Sequence, residues 1–228
     1  MPTSLITRET FKFLGELAAH NNREWFTANK QRYIDQVRDP LLQFVAEFGP
    51  RLRRISTHMV ADPRPVGGSL FRIYRDTRFS PDKRPYKTHV GISFRHARGR
   101  DVHGPVFYLH LEPGRAFAAA GMWHPEPDTL AKIRETIVTS PKRWQAVLQS
   151  RLFDLDEGHA GDRLSRAPRG YDPAHRFVED LKRKSFIAST TFTEPQACAP
   201  NFIDRFAKAC AQKAALMEFF TRAVGLPW

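Results

Sequence analysis

The chain has 228 residues, a formal net charge of +12, and 41% hydrophobic content that includes 18 Phe and 4 Trp. That length buries about 70% of the unfolded surface in one core, and the aromatic content argues against disorder. Two cysteines exclude a disulfide framework or a thiolate metal cluster, and no apolar run reaches the ~18 residues of a membrane span. The N-terminus has no apolar leader region, so the expected location is the cytoplasm, with no membrane partner.

Thr7 is placed to cap a first helix, with Phe11, Leu14, Leu17 and Ala18 at helical spacing up to about His20. Asn21 and Asn22 interrupt it. Trp25, Phe26, Tyr33 and Val37 then mark a second helix. Asp39 before Pro40 reads as a cap with proline in the first turn, opening a third helix through Leu41, Phe44, Val45, Phe48, Leu52 and Ile55. Pro50 predicts a kink or break within it. This part, 1–58, is expected to be scaffold.

After Pro63, Pro65, Gly67 and Gly68 the period changes. Strands are predicted over Leu70–Arg75, His89–Phe94, Val106–Leu111 and Arg115–Ala120. Alternate residues of a strand share a face, so Phe71, Ile73, Val90, Ile92, Phe94, Phe107, Leu109 and Leu111 predict an apolar face against helices. The other face would gather Arg72, Tyr74, His89, Tyr108 and His110 as a polar floor. The segment from Asp76 to Lys87 is too rich in proline and charge for a strand and is expected to loop across that floor.

Beyond 67–123, helices are predicted around Leu130, Ile133 and Ile137, and from Ser140 through Trp144, Val147 and Leu148. Asp154 to Pro173 reads as loop with room for one short strand, Pro173–Leu181 as a helix, Ser185–Phe192 as a strand, and Pro200–Val224 as one long helix. Helices, sheet, then helices again imply a single α+β domain over 1–228, its largely antiparallel sheet packed against N-terminal and C-terminal helices.

Charge concentrates where chemistry is expected. From Arg72 to Arg100 there are nine Lys or Arg and two Asp, and from Arg163 to Lys184 seven Lys or Arg and three acidic residues. Arginine suits bidentate recognition of carboxylate or phosphate. The candidate ligand-binding set is Arg72, Arg75, Asp76, Arg78, Lys83, Tyr86, Lys87, His89, Tyr108, His110 and Trp123, for a small phosphorylated or carboxylated molecule. Asp76 would hold Arg75 while Arg78 meets the ligand, and Lys83, Tyr86 and Lys87 would close over it. The same residues also suit an internal ion-pair network in which Asp76 bridges Arg75 and Arg78. Interleaved aromatics leave single-stranded nucleic acid as an alternative partner, although no reading module is recognisable. A hydrolase-like enzyme on a phosphorylated substrate is a further alternative, with His110 as base, but no nucleophile setting accompanies it. His110 and Glu112 share a strand face without forming a closed ligand set, so no metal is expected, and the lack of glycine-rich phosphate loops gives no nucleotide cofactor.

The runs FRIYRDTRFSPDKRPYKTHVG, YLHLEPG, GMWHP and PRGYDPAHRFVEDLKRKSF resemble a bacterial family known as domain of unknown function 2461, over nearly the whole chain. The resemblance implies that Arg72, Arg75, Asp76, Arg78, Phe79, Lys83, Tyr86 and Lys87 are a family signature. It implies no activity. It also suggests that Arg169, Tyr171, His175 and Lys184 meet the first basic segment at one site, and it departs at Arg176, where proline is expected.

Overall fold

The computed structural model describes residues 4–99, 104–150, 153, 155 and 163–228. Helices α1 (Arg8–Ala19), α2 (Arg23–Ala28) and α3 (Lys30–Tyr33) lead through a π-helical turn, Ile34–Arg38, into α4 (Asp39–Ile55). The predicted cap at Asp39 is therefore a continuation of helix. Pro40 has no N–H for the carbonyl of Gln36. That carbonyl instead accepts from the buried Thr10 hydroxyl at 2.8 Å, which ties the turn to α1. Pro50 does not end α4 either: Pro50 and Ala46 both face solvent, so water can satisfy the carbonyl that the proline leaves free.

Strands β1 (Met59–Val60), β2 (Val90–His96), β3 (Val106–Glu112), β4 (Arg115–Met122) and β5 (Phe186–Phe192) form one antiparallel sheet in the order 1-2-3-4-5. Gly114, at φ 75°, makes the tight turn between β3 and β4 that a left-handed residue requires. Helices α5 (Pro127–Thr139) and α6 (Pro141–Gln149) follow β4, and the short α7 (Val178–Leu181) precedes β5. The chain ends in α8 (Glu194–Ala197), α9 (Phe202–Gln212) and α10 (Ala214–Ala223). The fold is α+β, with helices at both ends.

The helices cover one face of the sheet. Ile92, Phe94, Phe107, Leu109, Ala118 and Ala120 meet Leu14, Leu17, Phe44, Phe48 and Phe206 in the main core. Met122 and Phe186 meet Ile133, Ile137, Trp144, Phe219 and Phe220 in a second cluster. No helix among the described residues is long and apolar enough to cross a membrane.

Three predicted elements differ. The final helix is two, because Lys213 at the break is 1% exposed and donates from Nζ to Thr190 Oγ1 at 2.5 Å and to Ala209 O at 3.2 Å. Anchoring an ammonium on β5 outweighs one more turn of straight helix. The helix predicted over 173–181 shrinks to α7. Finally, 70–75 is not a strand but a stretch with single bridges, Leu70 to Ile92 and Tyr74 to Tyr86. Of the loop predicted over 154–173, residues 154 and 156–162 lie outside the described residues, and the short strand within it is a single bridge from Arg163 to Arg183.

Candidate functional site

The basic segment is a small ribbon that pins itself. Arg75 N–H donates to Pro85 O and Lys87 N–H to Ile73 O, each at 2.8 Å, so 73–75 runs beside 85–87. Asn21 clasps the base of the ribbon through both hydrogen bonds of its amide to the Tyr86 backbone, at 3.0 and 3.1 Å. Tyr86 is 4% exposed and stacks on Phe26 with centroids 4.1 Å apart. It is a core anchor, and the expectation that it closes over a ligand is corrected.

The pairing of charges also differs from expectation. Asp82, not Asp76, receives Arg75 Nη1 at 2.5 Å, and it also chelates Arg84. Asp76 chelates only Arg78, at 3.0 and 2.7 Å, and Arg78 lies 5.7 Å from the Phe79 ring. The bonds from Arg78 hold the Asp76 carboxyl at about 2, and those from Arg84, then Arg75, hold Asp82 well below the usual range. Lys83 donates to Thr77 O. Asp76 and Asp82 each also accept the backbone N–H of the arginine two residues on, at 3.2 and 3.0 Å, a turn that brings that arginine to the carboxylate and that sequence adjacency had obscured. The described side-chain hydrogen bonds of residues 75–84 stay within that segment, and none reaches the sheet it was expected to cross. Arg72 is exposed, and its carbonyl accepts from Lys87 Nζ at 3.0 Å.

The second basic segment is elsewhere. Between 70–75 on the β2 edge and β5 lie four strand spacings, roughly 19 Å. Lys184 enters β5 at its Met122 end, whereas 70–75 runs toward the opposite end of β2. The two segments therefore do not meet at one site. Arg183, 6% exposed, pairs with Asp180, which also accepts from Trp144 Nε1 at 2.9 Å. Arg134 donates to the carbonyls of Leu181 and Arg183. Arg169 is exposed, Tyr171 packs on the second core, and His175 Nδ1 accepts from Phe177 N–H. This is a structural lock beneath β5.

The face of the sheet away from the helices is where other predicted residues converge. Register places Gly91, His110 and Phe117 in one row, Ser93, Tyr108, Ala119 and Ser189 in the next, and Val106, Gly121 and Ile187 in a third. Small residues at 119 and 121 beneath the larger Phe71, Tyr108, Phe117 and Trp123 leave an open trough of about 510 Å³, within the usual range for small-molecule sites. Phe71 was assigned to the apolar face. It lies instead over Gly91, where a Cβ would stand 2.9 Å from its ring and 2.7 Å from the Tyr108 hydroxyl. Because 70–75 is not pleated, alternation does not predict its side chains; Ile73 does enter the core, while Tyr74 joins Phe26 and Tyr86.

Cations flank Phe71: Lys87 Nζ is 5.3 Å and Arg95 Cζ 5.5 Å from its centroid. Arg95 also donates to Ser93. Burial, then the charge of Arg72, lowers Lys87 from its ordinary value. Beside the trough, His110 stacks between His89, at 4.8 Å, and Phe117, at 4.7 Å. Its Nδ1 is 3.3 Å from the Tyr108 hydroxyl and its Nε2 3.2 Å from Glu112. Burial raises Tyr108 to about 12, and burial followed by the nearby His110 lowers His89. Trp123 is 50% exposed at the trough's edge, set edge-on to His124.

Of the residues singled out from the sequence, Tyr108 and Trp123 line the trough, and His110, His89 and Lys87 lie beside it. Phe71, Ser93, Phe117, Ala119, Gly121 and Ile187 also line it and were not singled out. The run RAFAAAGM carried a signal for some of these, since alternation sets Phe117, Ala119 and Gly121 opposite the core alanines. No group of His, Cys, Asp and Glu among the described residues is arranged to hold a metal ion, and Cys198 and Cys210 are free thiols.

An α+β protein whose sheet carries a trough lined by aromatic rings on the face away from the helices is the class that these features define. Residues 9–219 match the family model described as conserved hypothetical protein (DUF2461), and the chain belongs to that family. No curated protein matches the chain.

Proposed function

We propose that the open sheet face binds a small molecule with a planar, apolar body and a carboxylate or phosphate. The observation that carries this reading is the trough itself, in which Phe71, Tyr108, Phe117 and Trp123 surround a floor of Ala119 and Gly121. A flat apolar body fits such a floor, and aromatic walls favour stacking. The anionic group is drawn to Lys87, whose partly buried ammonium lies beside Phe71 at one wall. Compared with the arginines of the ribbon, Lys87 is held by a backbone carbonyl and by no aspartate among the described residues.

The test uses anilinonaphthalene sulfonate, an aromatic anion that fluoresces in apolar sites, at near-physiological salt. Saturable binding to the wild type is expected. Ala119→Trp fills the trough and abolishes it, while Lys87→Gln weakens it about two- to fivefold, as loss of a partly screened charge contact of up to ~1 kcal/mol implies. Competition by carboxylates against phosphates then names the ligand class. Binding that is absent, or unaffected by Ala119→Trp, refutes the reading.

A second reading is favoured by Phe79, which is 93% exposed beside Arg78 on the basic tip. An exposed ring among cations suits stacking on a single-stranded nucleic acid, whose affinity falls steeply as salt rises. Phe79→Ala separates it from the trough. Either reading is consistent with the cytoplasm, where free thiols such as Cys198 and Cys210 persist.

A further inference from the structure

We propose that Glu112, His110 and Tyr108 form a proton relay opening on the trough, making it an acid–base site for planar molecules that carry an ionisable hydroxyl, such as phenols and enols. This rests on the trough reading above and adds to it the chemistry of the bound group.

The relay follows from strand geometry. Residues 108, 110 and 112 alternate along β3, so their side chains rise from the same face in a line. His110 Nε2–H donates to Glu112 Oε2 at 3.2 Å, which leaves the Nδ1 lone pair directed at the Tyr108 hydroxyl, 3.3 Å away. The Tyr108 O–H then donates to Nδ1. Its oxygen keeps a lone pair for a ligand at the trough wall, where Tyr108 is part of the lining. Gly91 is what admits this arrangement, because a Cβ there would fall 2.7 Å from the Tyr108 oxygen. Stacking between His89 and Phe117 fixes the plane of the His110 ring.

In the forward step the ligand O–H bond breaks and its proton passes to the Tyr108 oxygen as Tyr108's own proton passes to His110 Nδ1. The products are a ligand oxyanion accepting a hydrogen bond from Tyr108, and an imidazolium beside the Glu112 carboxylate. No co-reactant is consumed, and the net charge of the complex is unchanged. Tyr108 is the group that touches the ligand; His110 and Glu112 are positioning residues that act through it.

The groups around the relay are of both signs. Glu112, which also receives the Thr88 hydroxyl at 3.5 Å, is the only carboxylate described against His110. On β4, Arg115 lies opposite Glu112 in the register and over Phe117 at 5.1 Å, and Lys87 and His89 approach from the segment before β2. Burial, then the neighbouring His110, disfavours charge on His89, and the Glu112 carboxylate lies on His110 rather than on His89.

The experiment uses 4-nitrophenol, whose protonated and ionised forms differ in absorption, held about one pH unit below its own pKa and titrated with protein. In the wild type at least half of the bound probe is expected to be ionised, its apparent pKa lowered by at least about one unit, a tenfold change in the ratio of forms. His110→Gln and Glu112→Gln should bind the probe and lose the shift. Tyr108→Phe keeps the ring and should lose it as well, which covers the case in which a His110 variant fails to fold. A probe that saturates the wild type with an unshifted spectrum overturns the relay and leaves the trough standing. A shift that survives in His110→Gln also overturns it. Absence of saturable binding of both 4-nitrophenol and anilinonaphthalene sulfonate overturns the trough reading and the relay together, whereas dye that binds and is not displaced by 4-nitrophenol overturns the relay alone.

Discussion

Gly121→Ala offers a direct test of how β4 and β5 build the trough floor. Gly121 has φ 133°, and a Cβ there would stand 1.9 Å from the carbonyl oxygen of Phe186 and 2.9 Å from its carbon. Carbon and oxygen make close contact at about 3.3–3.6 Å, so the strands must separate by more than ~1 Å at the Gly121–Ile187 and Met122–Phe186 pairs. The backbone angle alone costs about 1–3 kcal/mol and the steric overlap about as much again, which gives about 2–6 kcal/mol in all. For a chain of this size that lowers the thermal midpoint by roughly 4–24 °C. Gly114→Ala is the control: its φ of 75° is also positive, but no atom lies within 4 Å of the new Cβ, so only the left-handed penalty of about 1–2 kcal/mol applies. Thermal unfolding of both variants beside wild type decides the matter, with probe binding as a second readout. The reasoning is refuted if Gly121→Ala is no less stable than Gly114→Ala.

His96 supplies a pH dependence. Its Nε2 is 2.9 Å from Pro227 O and its Nδ1 accepts from Arg98 N–H at 3.0 Å, an arrangement that fixes the neutral ring. Burial, against the favourable contact with Pro227, lowers its pKa. A histidine depressed in the folded state contributes fully above its unfolded pKa of about 6.5, and that contribution is lost as pH falls from there through the folded value. His89 adds to the same trend. The wild-type midpoint should therefore fall between pH 8 and pH 5 by more than that of His89→Gln/His96→Gln; equal falls would contradict the assignment. Thr10→Val should cost about 1–3 kcal/mol in urea unfolding, because it leaves the Gln36 carbonyl without its donor at the π-helical turn. A loss below ~0.5 kcal/mol would show that the carbonyl finds another partner.

Much of the architecture was legible because periodicity reports burial. The spacing of Phe44, Val45, Phe48 and Leu52 defines an apolar stripe, and alternation from Val106 to Leu111 separates core leucines from Tyr108 and His110 without knowledge of what lies nearby. Breaks and joints were less legible. Whether Pro40 and Pro50 stop a helix depends on who receives the freed carbonyls, and Thr10, 26 residues before Gln36, cannot be read from the local sequence. Lys213 splits the last helix for the same kind of reason, through a partner on another element. The ribbon misled because adjacency is not pairing: Asp76 stands beside Arg75 yet holds Arg78, and Arg75 finds Asp82.

By itself the sequence determined the α+β class, the antiparallel strands and the family, since these rest on local patterns of burial and turn chemistry. Only the tertiary structure decided which residues gather at the candidate site. The trough depends on the register that sets Gly91 beneath Phe71 and Tyr108 and places Ala119 and Gly121 as a low floor among rings from three separate segments. Register is a long-range property, fixed by which strands pair, so the groups it assembles carry no common signal along the chain.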